Sequence, residues 1–248
     1  MTYEQFIAKK ISNPIAHGFT PIEPINEMLF DWQKVLVRWA IKQGRCALFC
    51  DCGLGKTPMQ LEWASQVGLH TSKPVLILCP LAVAAQTVKE GRKFHIEVTH
   101  VRQPEEIGAS GIFITNYERL ELFIEIIEKL GGVVLDESSI LKSFMGKTRI
   151  RLTEAFQLTP YRLCCTATPA PNDFMEFGQH CDFLSVMPSN EMLSRFFIND
   201  TMNFGTYRLK GHAKSDFWRW VSTWAACVSR PSDIGFDDGD FCLPELNI

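Results

Sequence analysis

Residues 45–57 carry the sequence RCALFCDCGLGKT, an apolar run followed by a glycine-containing turn and the start of an amphipathic segment. The run over residues 45–51 predicts a buried β-strand, and the spacing over residues 57–69 predicts an α-helix. A strand that passes through such a turn into a helix is the setting of a phosphate-binding loop. Gly53 and Gly55 allow the backbone to curl so that its N–H groups face phosphate oxygens. The stretch therefore predicts an α/β fold with a nucleotide site at a strand end.

The polar residues of this turn match the needs of ATP and Mg²⁺. The amino end of the predicted helix favours anions, Lys56 has the reach to contact the β- and γ-phosphates, and the Thr57 hydroxyl suits Mg²⁺. Cys50 stands where the pattern GxxxxGK[ST] has its first glycine. An ordinary glycine-rich turn between strand and helix is the alternative to a nucleotide site. The residues of this turn predicted to bind ATP are Gly53, Leu54, Gly55, Lys56 and Thr57.

Short apolar runs alternate with amphipathic segments along the chain that follows. Further strands are predicted over residues 74–79, 96–101, 111–115, 133–136 and 162–166. Further helices are predicted over residues 81–94 and 117–130. Continuously apolar strands that are separated by helices are typical of a parallel sheet covered on both faces. The fold class expected is therefore α/β, with helices on both faces of a parallel sheet.

The composition limits the classes of function. Of the 248 residues, 46% are hydrophobic and 21% charged, which is typical of a globular protein and excludes a mainly disordered chain. The net charge of −3 excludes a strongly basic surface over the whole chain, although not a local basic groove. Nine cysteines without a CxxC pair indicate a reducing, cytoplasmic compartment. The apolar runs are too short to span a membrane, so no membrane partner is expected.

A second chemical signal is the sequence GVVLDESS over residues 132–139, in which an apolar strand ends in two acids. The carboxyl ends of parallel strands meet at one edge of a sheet, which places Asp136 and Glu137 beside the phosphate-binding turn. There Asp136 is expected to hold Mg²⁺ and Glu137 to polarise the attacking water as the catalytic carboxylate. A solvated turn is the alternative when the pair is considered alone.

A third signal is RLCCTATP over residues 162–169, where another apolar strand ends in hydroxyl residues. Thr166 and Thr168 are expected to hydrogen-bond the Asp136–Glu137 segment and to couple it to the state of the phosphates. A strand followed by a proline turn is the alternative when this stretch is considered alone.

The order GLGKT, DESS and TATP resembles the first RecA-like motor domain of superfamily two helicases and translocases, and within it the Swi/Snf-like group. The resemblance covers roughly residues 25 to 248. It implies that Gln33, in LFDWQ, contacts the adenine base. It also implies that Pro80, in CPL, and Asn116, in ITNY, lie along the backbone of a nucleic acid. Hydrolysis of ATP would then drive work on DNA, whether duplex or single-stranded.

The strings DESSILKSFMGKTR and TATPAPND are similar to helicase-like proteins of phages and prophages. This likeness implies the cytoplasm of a bacterial or phage-infected cell. The first string also holds basic residues for which two interpretations remain: contact with DNA phosphates, or a solvated helix face. These basic residues, together with one that follows the string, are Lys142, Lys147, Arg149 and Arg151.

The chain departs from the family pattern in two places. Ser138 and Ser139 stand where the family often has Ala-Asp or Ala-His, which disfavours strand-separating helicases but not ATP hydrolysis. No second motor domain with its arginine finger follows, so one is expected downstream of Ile248 in a longer protein. The expected organisation is an irregular lead-in over residues 1–25, the RecA-like domain over 26–186 and a helical, aromatic-rich extension over 187–248.

The extension places four large apolar residues at helical spacing, a pattern that indicates core. They are Phe217, Trp220, Val221 and Trp224.

Two functions compete with an ATP-driven motor domain. One is a self-contained P-loop NTPase, such as a nucleotide kinase or transport ATPase; the other is a nucleotide-gated DNA-binding module. The first does not account for TATP at a strand end, and the second does not need the carboxylate of Glu137.

Overall fold

The computed structural model describes residues 16–142, 146–199 and 207–241. The helices alternate with strands up to residue 166, except that two strands follow one another between residues 98 and 116. They are α1 (Asp31–Gln43), α2 (Lys56–Thr71), α3 (Ala84–Lys93), α4 (Leu120–Phe123), α5 (Lys147–Ala155), α6 (Phe177–Leu184), α7 (Ser189–Phe196) and α8 (Lys214–Val221). The strands are β1 (Arg45–Cys50), β2 (Val75–Cys79), β3 (Val98–His100), β4 (Ile112–Asn116), β5 (Gly132–Asp136), β6 (Tyr161–Thr166), β7 (Phe197–Asn199), β8 (Tyr207–Leu209) and β9 (Ala225–Val228).

Within those ranges, seven strands form one parallel sheet in the order β3-β4-β2-β5-β6-β1-β9. Strands β7 and β8 form a separate antiparallel pair. The predicted strands between residues 45 and 166 are all present, with ends that differ by at most two residues from the prediction. The α/β fold class predicted from the alternating pattern is confirmed.

The side chains of the central strands point alternately into two hydrophobic cores, one on each face of the sheet. Ala47 and Phe49 of β1 belong to the core formed with helices α4 to α8. Cys46, Leu48 and Cys50 belong to the core formed with helices α1 to α3. Because successive side chains of a strand point to opposite faces, a strand buried on both sides has to be apolar throughout.

Helix α1 was not among the predicted helices, although its sequence carries the signal. The residues that it buries recur at helical spacing and pack beside α2. They are Trp32, Gln33, Leu36, Val37, Ala40 and Ile41. The predicted lead-in falls mostly outside the described residues; its described part, residues 16–25, has no helix or strand.

The predicted helix over residues 117–130 is wrong in type. The structure divides this segment into 3₁₀ turns at Tyr117–Arg119 and Ile124–Lys129, on either side of the short helix α4. The apolar positions Leu120, Phe123 and Ile127 are nevertheless buried as expected. Residues with this spacing lie on one face of a 3₁₀ helix as well as of an α-helix. The β-branched isoleucines of this segment disfavour the single long α-helix that was predicted.

The helical extension expected after residue 186 contains α7 and α8, but it is not helical throughout, because strands β7, β8 and β9 also lie in it. Strand β9 pairs in parallel with β1 and makes the extension part of the main sheet. Without β9, β1 would leave a row of backbone groups unpaired at an exposed edge. The aromatic residues of the extension are core, as predicted: Phe217, Trp220 and Trp224 are almost fully buried. None of the described helices is both long and apolar enough to cross a membrane.

Candidate active site

The sheet brings the three chemical signals of the sequence to one edge. Strands β5, β6 and β1 are direct neighbours, with Asp136 opposite Cys165 and Phe49 opposite Thr166. Because all three strands run in the same direction, the turn after β1, the acids after β5 and the threonines after β6 follow the same carboxyl edge. This juxtaposition is the one that the parallel-sheet argument predicts.

The phosphate-binding turn requires its two glycines. Gly53 and Gly55 have φ angles of +83° and +65°, in the left-handed region that favours glycine. A β-carbon on Gly55 would also come within 2.6 Å of the side-chain nitrogen of Gln33. Helix α2 begins at the next residue and presents the free N–H groups of its first turn at the site.

The side chain of Lys56 is bonded to the backbone where this turn begins. Its Nζ donates to the carbonyl of Cys50 at 2.8 Å and to that of Asp51 at 3.1 Å. The departure at Cys50 has a simple structural account, because this residue is the last of β1 and its side chain is fully buried in the core. Cysteine here acts as a small apolar residue while its carbonyl accepts from Lys56.

Gln33 braces the phosphate-binding turn from helix α1. Its side chain is only 3% exposed; its Oε1 accepts from the backbone N–H of Phe30 at 3.1 Å, and its Nε2 donates to the carbonyl of Leu54 at 3.1 Å. The amide therefore ties the start of α1 to the turn. Contact of Gln33 with an adenine base stays a prediction, and one hydrogen of Nε2 is left for it.

Asp136 ends strand β5 at the border between the core and the site. Burial raises the pKa of its carboxyl above the usual value; the Gln60 amide opposes this rise, Glu137 adds to it, and Lys56 opposes it. The hydroxyl of Tyr117 donates to the backbone carbonyl of Asp136 at 2.9 Å. The pattern of the sequence had not singled out Tyr117 for this contact.

Glu137 has a φ angle of +59°, a conformation that is unusual for a residue with a β-carbon. Its Oε1 accepts two short hydrogen bonds, one from the Ser139 hydroxyl at 2.6 Å and one from the Thr166 hydroxyl at 2.6 Å. Thr166 in turn accepts from the backbone N–H of Thr168 at 3.0 Å. The carboxylate is thus held by the segment after β6, as expected, although Thr168 takes part through its backbone. The contact from Ser139 was missed.

The residues proposed to follow a nucleic acid differ in what they contact. Asn116 is buried, and its Nδ2 donates to the carbonyls of Pro80 at 3.2 Å and Leu81 at 3.3 Å, so it fixes the turn after β2. Leu81 itself is 72% exposed. Contact of Pro80 and Asn116 with nucleic acid stays a prediction, and the amide of Asn116 acts within the protein.

The basic residues after the acids divide into two pairs. Arg149 contacts Asp182 at 3.3 Å, and Arg151 makes two hydrogen bonds with Glu121, at 2.8 and 2.9 Å. The side chains of Lys142 and Lys147 are exposed. Of the four, the two lysines are therefore the better placed to meet a phosphate backbone.

The donors for a metal ion are few. In the part of the chain that the structure describes, no group of three or more His, Cys, Asp and Glu side chains forms a metal site. Thr57, at the start of α2, and Asp136, at the end of β5, offer a hydroxyl and a carboxylate at the same edge. These hard oxygen donors suit Mg²⁺, which is bound by few protein groups and keeps several waters.

Comparison with known proteins assigns the family. A model of the SNF2-related domain matches residues 32–203, more than two thirds of the chain. The chain belongs to the SNF2-related family. The resemblance to the Swi/Snf-like group is thereby confirmed, and the chain is an ATPase motor domain of this family, as its motifs predicted.

Solved structures share the fold of this SNF2-related domain. The Sulfolobus solfataricus SWI2/SNF2 ATPase core in complex with double-stranded DNA superposes with a TM-score of 0.68 at 23% identity, over 84% of this chain and 46% of that one. The ATPase core domain of the same organism gives 0.66 at 22% identity, over 86% and 46%.

Curated relatives are longer still. TATA-binding protein-associated factor 172 of Homo sapiens is 24% identical in an alignment 192 residues long, and the match covers 65% of this chain and 10% of that protein. Protein CHROMATIN REMODELING 8 of Arabidopsis thaliana is 25% identical in an alignment 222 residues long, and the match covers 67% of this chain and 18% of that protein. The SNF2-related chain thus spans less than half of the solved structures and at most about a fifth of these curated relatives.

Proposed function

We propose that this domain hydrolyses ATP to drive movement along duplex DNA, as one half of a two-domain motor. The observation that carries the proposal is the contact of Glu137 with Thr166. A carboxylate suited to activate water is tied to Thr166 at the end of β6, a different strand from those that lead into the phosphate-binding turn and the two acids. Such a link is of use to a machine that passes the state of the nucleotide to another part of the protein, and a nucleotide kinase has no need of it.

The residues at the edge of the sheet divide the chemistry among them. The backbone of the turn and the amino end of α2 bind the phosphates, and Lys56 exchanges the carbonyls of Cys50 and Asp51 for the β- and γ-phosphate oxygens. Glu137 accepts a proton from the attacking water. Gln33 contacts the base. Mg²⁺ held by Thr57 and Asp136 would neutralise charge on the phosphates.

Three further points belong to the same proposal. The partner is duplex DNA, because the solved SWI2/SNF2 core of similar fold is a complex with double-stranded DNA. Lys142 and Lys147 follow the carboxyl end of β5 and are exposed there, where they suit contact with phosphates. With a net charge of −3 and half of a groove, the affinity for DNA is expected to be weak and sensitive to salt.

The second RecA-like domain, with its arginine finger, is expected downstream of Ile248. We infer a helicase-like protein of a phage or prophage from the strings DESSILKSFMGKTR and TATPAPND. Its compartment would be the cytoplasm of a bacterial or phage-infected cell, in agreement with the cysteine content.

Substitution Glu137→Gln tests the chemistry. The amide is nearly isosteric but cannot accept a proton, so single-turnover ATP hydrolysis is expected to fall by roughly 10²–10⁴-fold while ATP affinity by calorimetry is unchanged. The matched control is Glu97→Gln, an exposed residue just before β3, which should hydrolyse ATP as the wild type does. Hydrolysis by Glu137→Gln at the wild-type rate would remove Glu137 from the reaction.

The half-motor proposal is tested by length. Residues 1–248 are expected to bind ATP and hydrolyse it slowly, since an arginine finger contributes ~10³–10⁵-fold in related phosphoryl transfer. ATP turnover is measured with and without duplex DNA, beside a protein that includes the downstream sequence. Equal DNA-stimulated turnover by the two would favour a self-contained NTPase instead. Binding of DNA without any turnover in the longer protein would favour the nucleotide-gated binding module.

A further inference from the structure

A buried polar pair connects the catalytic turn, residues 137–139 directly after β5, to a helix that lies outside the sequence motifs. The Ser138 hydroxyl lies 3.1 Å from Nε2 of His180, and both residues are fully buried. His180 belongs to α6, and its ring also meets the edge of the Phe49 ring of β1, with centroids 5.1 Å apart. Ser138 directly follows Glu137 in the chain.

The 3₁₀ turn Phe174–Glu176, just before α6, is bonded to the segment that follows β6. Glu176, one residue before α6, accepts from Nδ2 of Asn172 at 2.7 Å and from the backbone N–H of Asn172 at 3.4 Å. Asn172 belongs to the segment that follows Thr166 and Thr168. The start of α6 is therefore bonded to both loops that determine where the Glu137 carboxylate lies.

The conformation of Glu137 explains why such a hold is needed. A positive φ costs a residue with a β-carbon about 1–2 kcal/mol, so neighbouring contacts have to maintain it. The contacts of Thr166 and Ser139 hold the carboxylate, and the contact of Ser138 with His180 holds the next residue of the chain. A buried histidine itself costs free energy relative to an apolar side chain. Its place here is explained if the hydrogen bond to Ser138 is what the site requires.

We propose that His180 is a positioning residue for ATP hydrolysis, which sets the catalytic turn by holding the Ser138 hydroxyl from helix α6. The inference rests on the proposed function, because it assigns Glu137 to the activation of water. Burial lowers the pKa of His180 to about 4, so the ring is neutral near pH 7 and keeps the same hydrogen-bonding capacity over the working range.

The test compares Ser138→Ala, His180→Phe, the double variant and His180→Gln in single-turnover hydrolysis. The rate is expected to fall roughly tenfold in Ser138→Ala and His180→Phe, with KM for ATP within about twofold, since misplacing a reacting group acts on the chemical step. The double variant should be no slower than the single variants, because each single substitution already removes the bond between Ser138 and His180. His180→Gln should recover most of the rate, because its amide can reach Ser138.

Controls separate positioning from general damage. Ser194→Ala, on the exposed side of α7, should hydrolyse ATP at the wild-type rate, and thermal unfolding and ATP affinity confirm that each variant is folded. If His180→Phe fails to fold, Ser138→Ala still decides the question.

The possible failures differ from one another. A wild-type rate in folded Ser138→Ala, with hydrolysis lost in Glu137→Gln, overturns the positioning role and leaves the proposed function intact. Additive losses, or a rise of KM alone, would show that the pair acts through packing. Full hydrolysis by Glu137→Gln would instead overturn the proposed function itself.

Discussion

The carboxylate of Glu137 accepts more hydrogen bonds from its neighbours than the order of residues reveals. One oxygen accepts from two hydroxyls, those of Ser139 and Thr166, which come from different segments of the chain. Both donors bond the same carboxylate oxygen, so together they set the direction in which the carboxylate faces the attacking water. The Thr166 hydroxyl is therefore expected to control when Glu137 acts.

Thr166→Val tests this role of the hydroxyl. Single-turnover ATP hydrolysis is expected to fall roughly tenfold with unchanged ATP affinity, because the carboxylate loses one of the two donors that position it. Thr166→Ser retains the hydroxyl and should behave as the wild type. If the valine and serine variants hydrolyse ATP at the same rate, the hydroxyl has no part in the reaction.

At the scale of elements, α5, β6 and α6 are joined by one buried arginine. Arg162 is fully buried and donates to the carbonyls of Gln157 at 2.8 Å and Thr159 at 3.0 Å, to the Ser185 hydroxyl at 3.1 Å and to the Phe183 carbonyl. Burial lowers the pKa of its guanidinium to about 10. The side chain thus ties the loop before β6 to the end of the helix that carries His180.

Arg162→Met is expected to lower the free energy of unfolding by about 2–4 kcal/mol, because several buried acceptors lose their donor. Arg45→Met is the matched control: Arg45 starts the adjacent strand and makes one bond, from its Nε to the Pro160 carbonyl at 3.0 Å, so a change of about 1 kcal/mol is expected. Chemical denaturation monitored by fluorescence measures both variants. Equal losses in the two would contradict the role assigned to Arg162.

For the whole molecule, buried ionisable groups predict how stability changes with acidity. The pKa of His180 is about 4 in the folded protein, against an ordinary value of 6.5. Between these values the unfolded chain takes up a proton that the folded protein refuses, so stability falls as the pH drops from about 6.5 toward about 4. Asp136 acts in the opposite direction, because its pKa is raised and its folded form retains a proton longer.

The expected cost of His180 at pH 5 is on the order of 2 kcal/mol relative to pH 7. Denaturation midpoints of the wild type and of His180→Gln are compared at both pH values; the variant should lose less stability on acidification, because glutamine does not titrate. The same loss in both proteins would show that His180 does not contribute. Because the wild type and the variant share the same carboxylates, the contribution of these carboxylates cancels when the two losses of stability are subtracted.

Local patterns were enough to predict that the three motifs meet at the carboxyl edge of the sheet. An apolar run followed by GLGKT, by DESS or by TATP predicts a strand end with polar groups, and the rule that parallel strands end at one edge brings these groups together. The contact of Thr166 with the Asp136–Glu137 segment was predicted by that reasoning, and the structure identifies Glu137 as the acceptor. The two-sided burial of the sheet was equally evident from its continuously apolar strands.

Other features were decided by packing between segments that are distant in the sequence. Strand β9 is too short to be recognised by its periodicity, and it exists because β1 offers it an edge. The isoleucine-rich segment Ile124–Lys129 is a 3₁₀ turn, although its apolar spacing also suits an α-helix. Nothing local to Ser138 or His180 announces that they meet, since 42 residues separate them. Sequence patterns record which face of an element is buried; only the folded chain determines which polar groups face one another across the buried space.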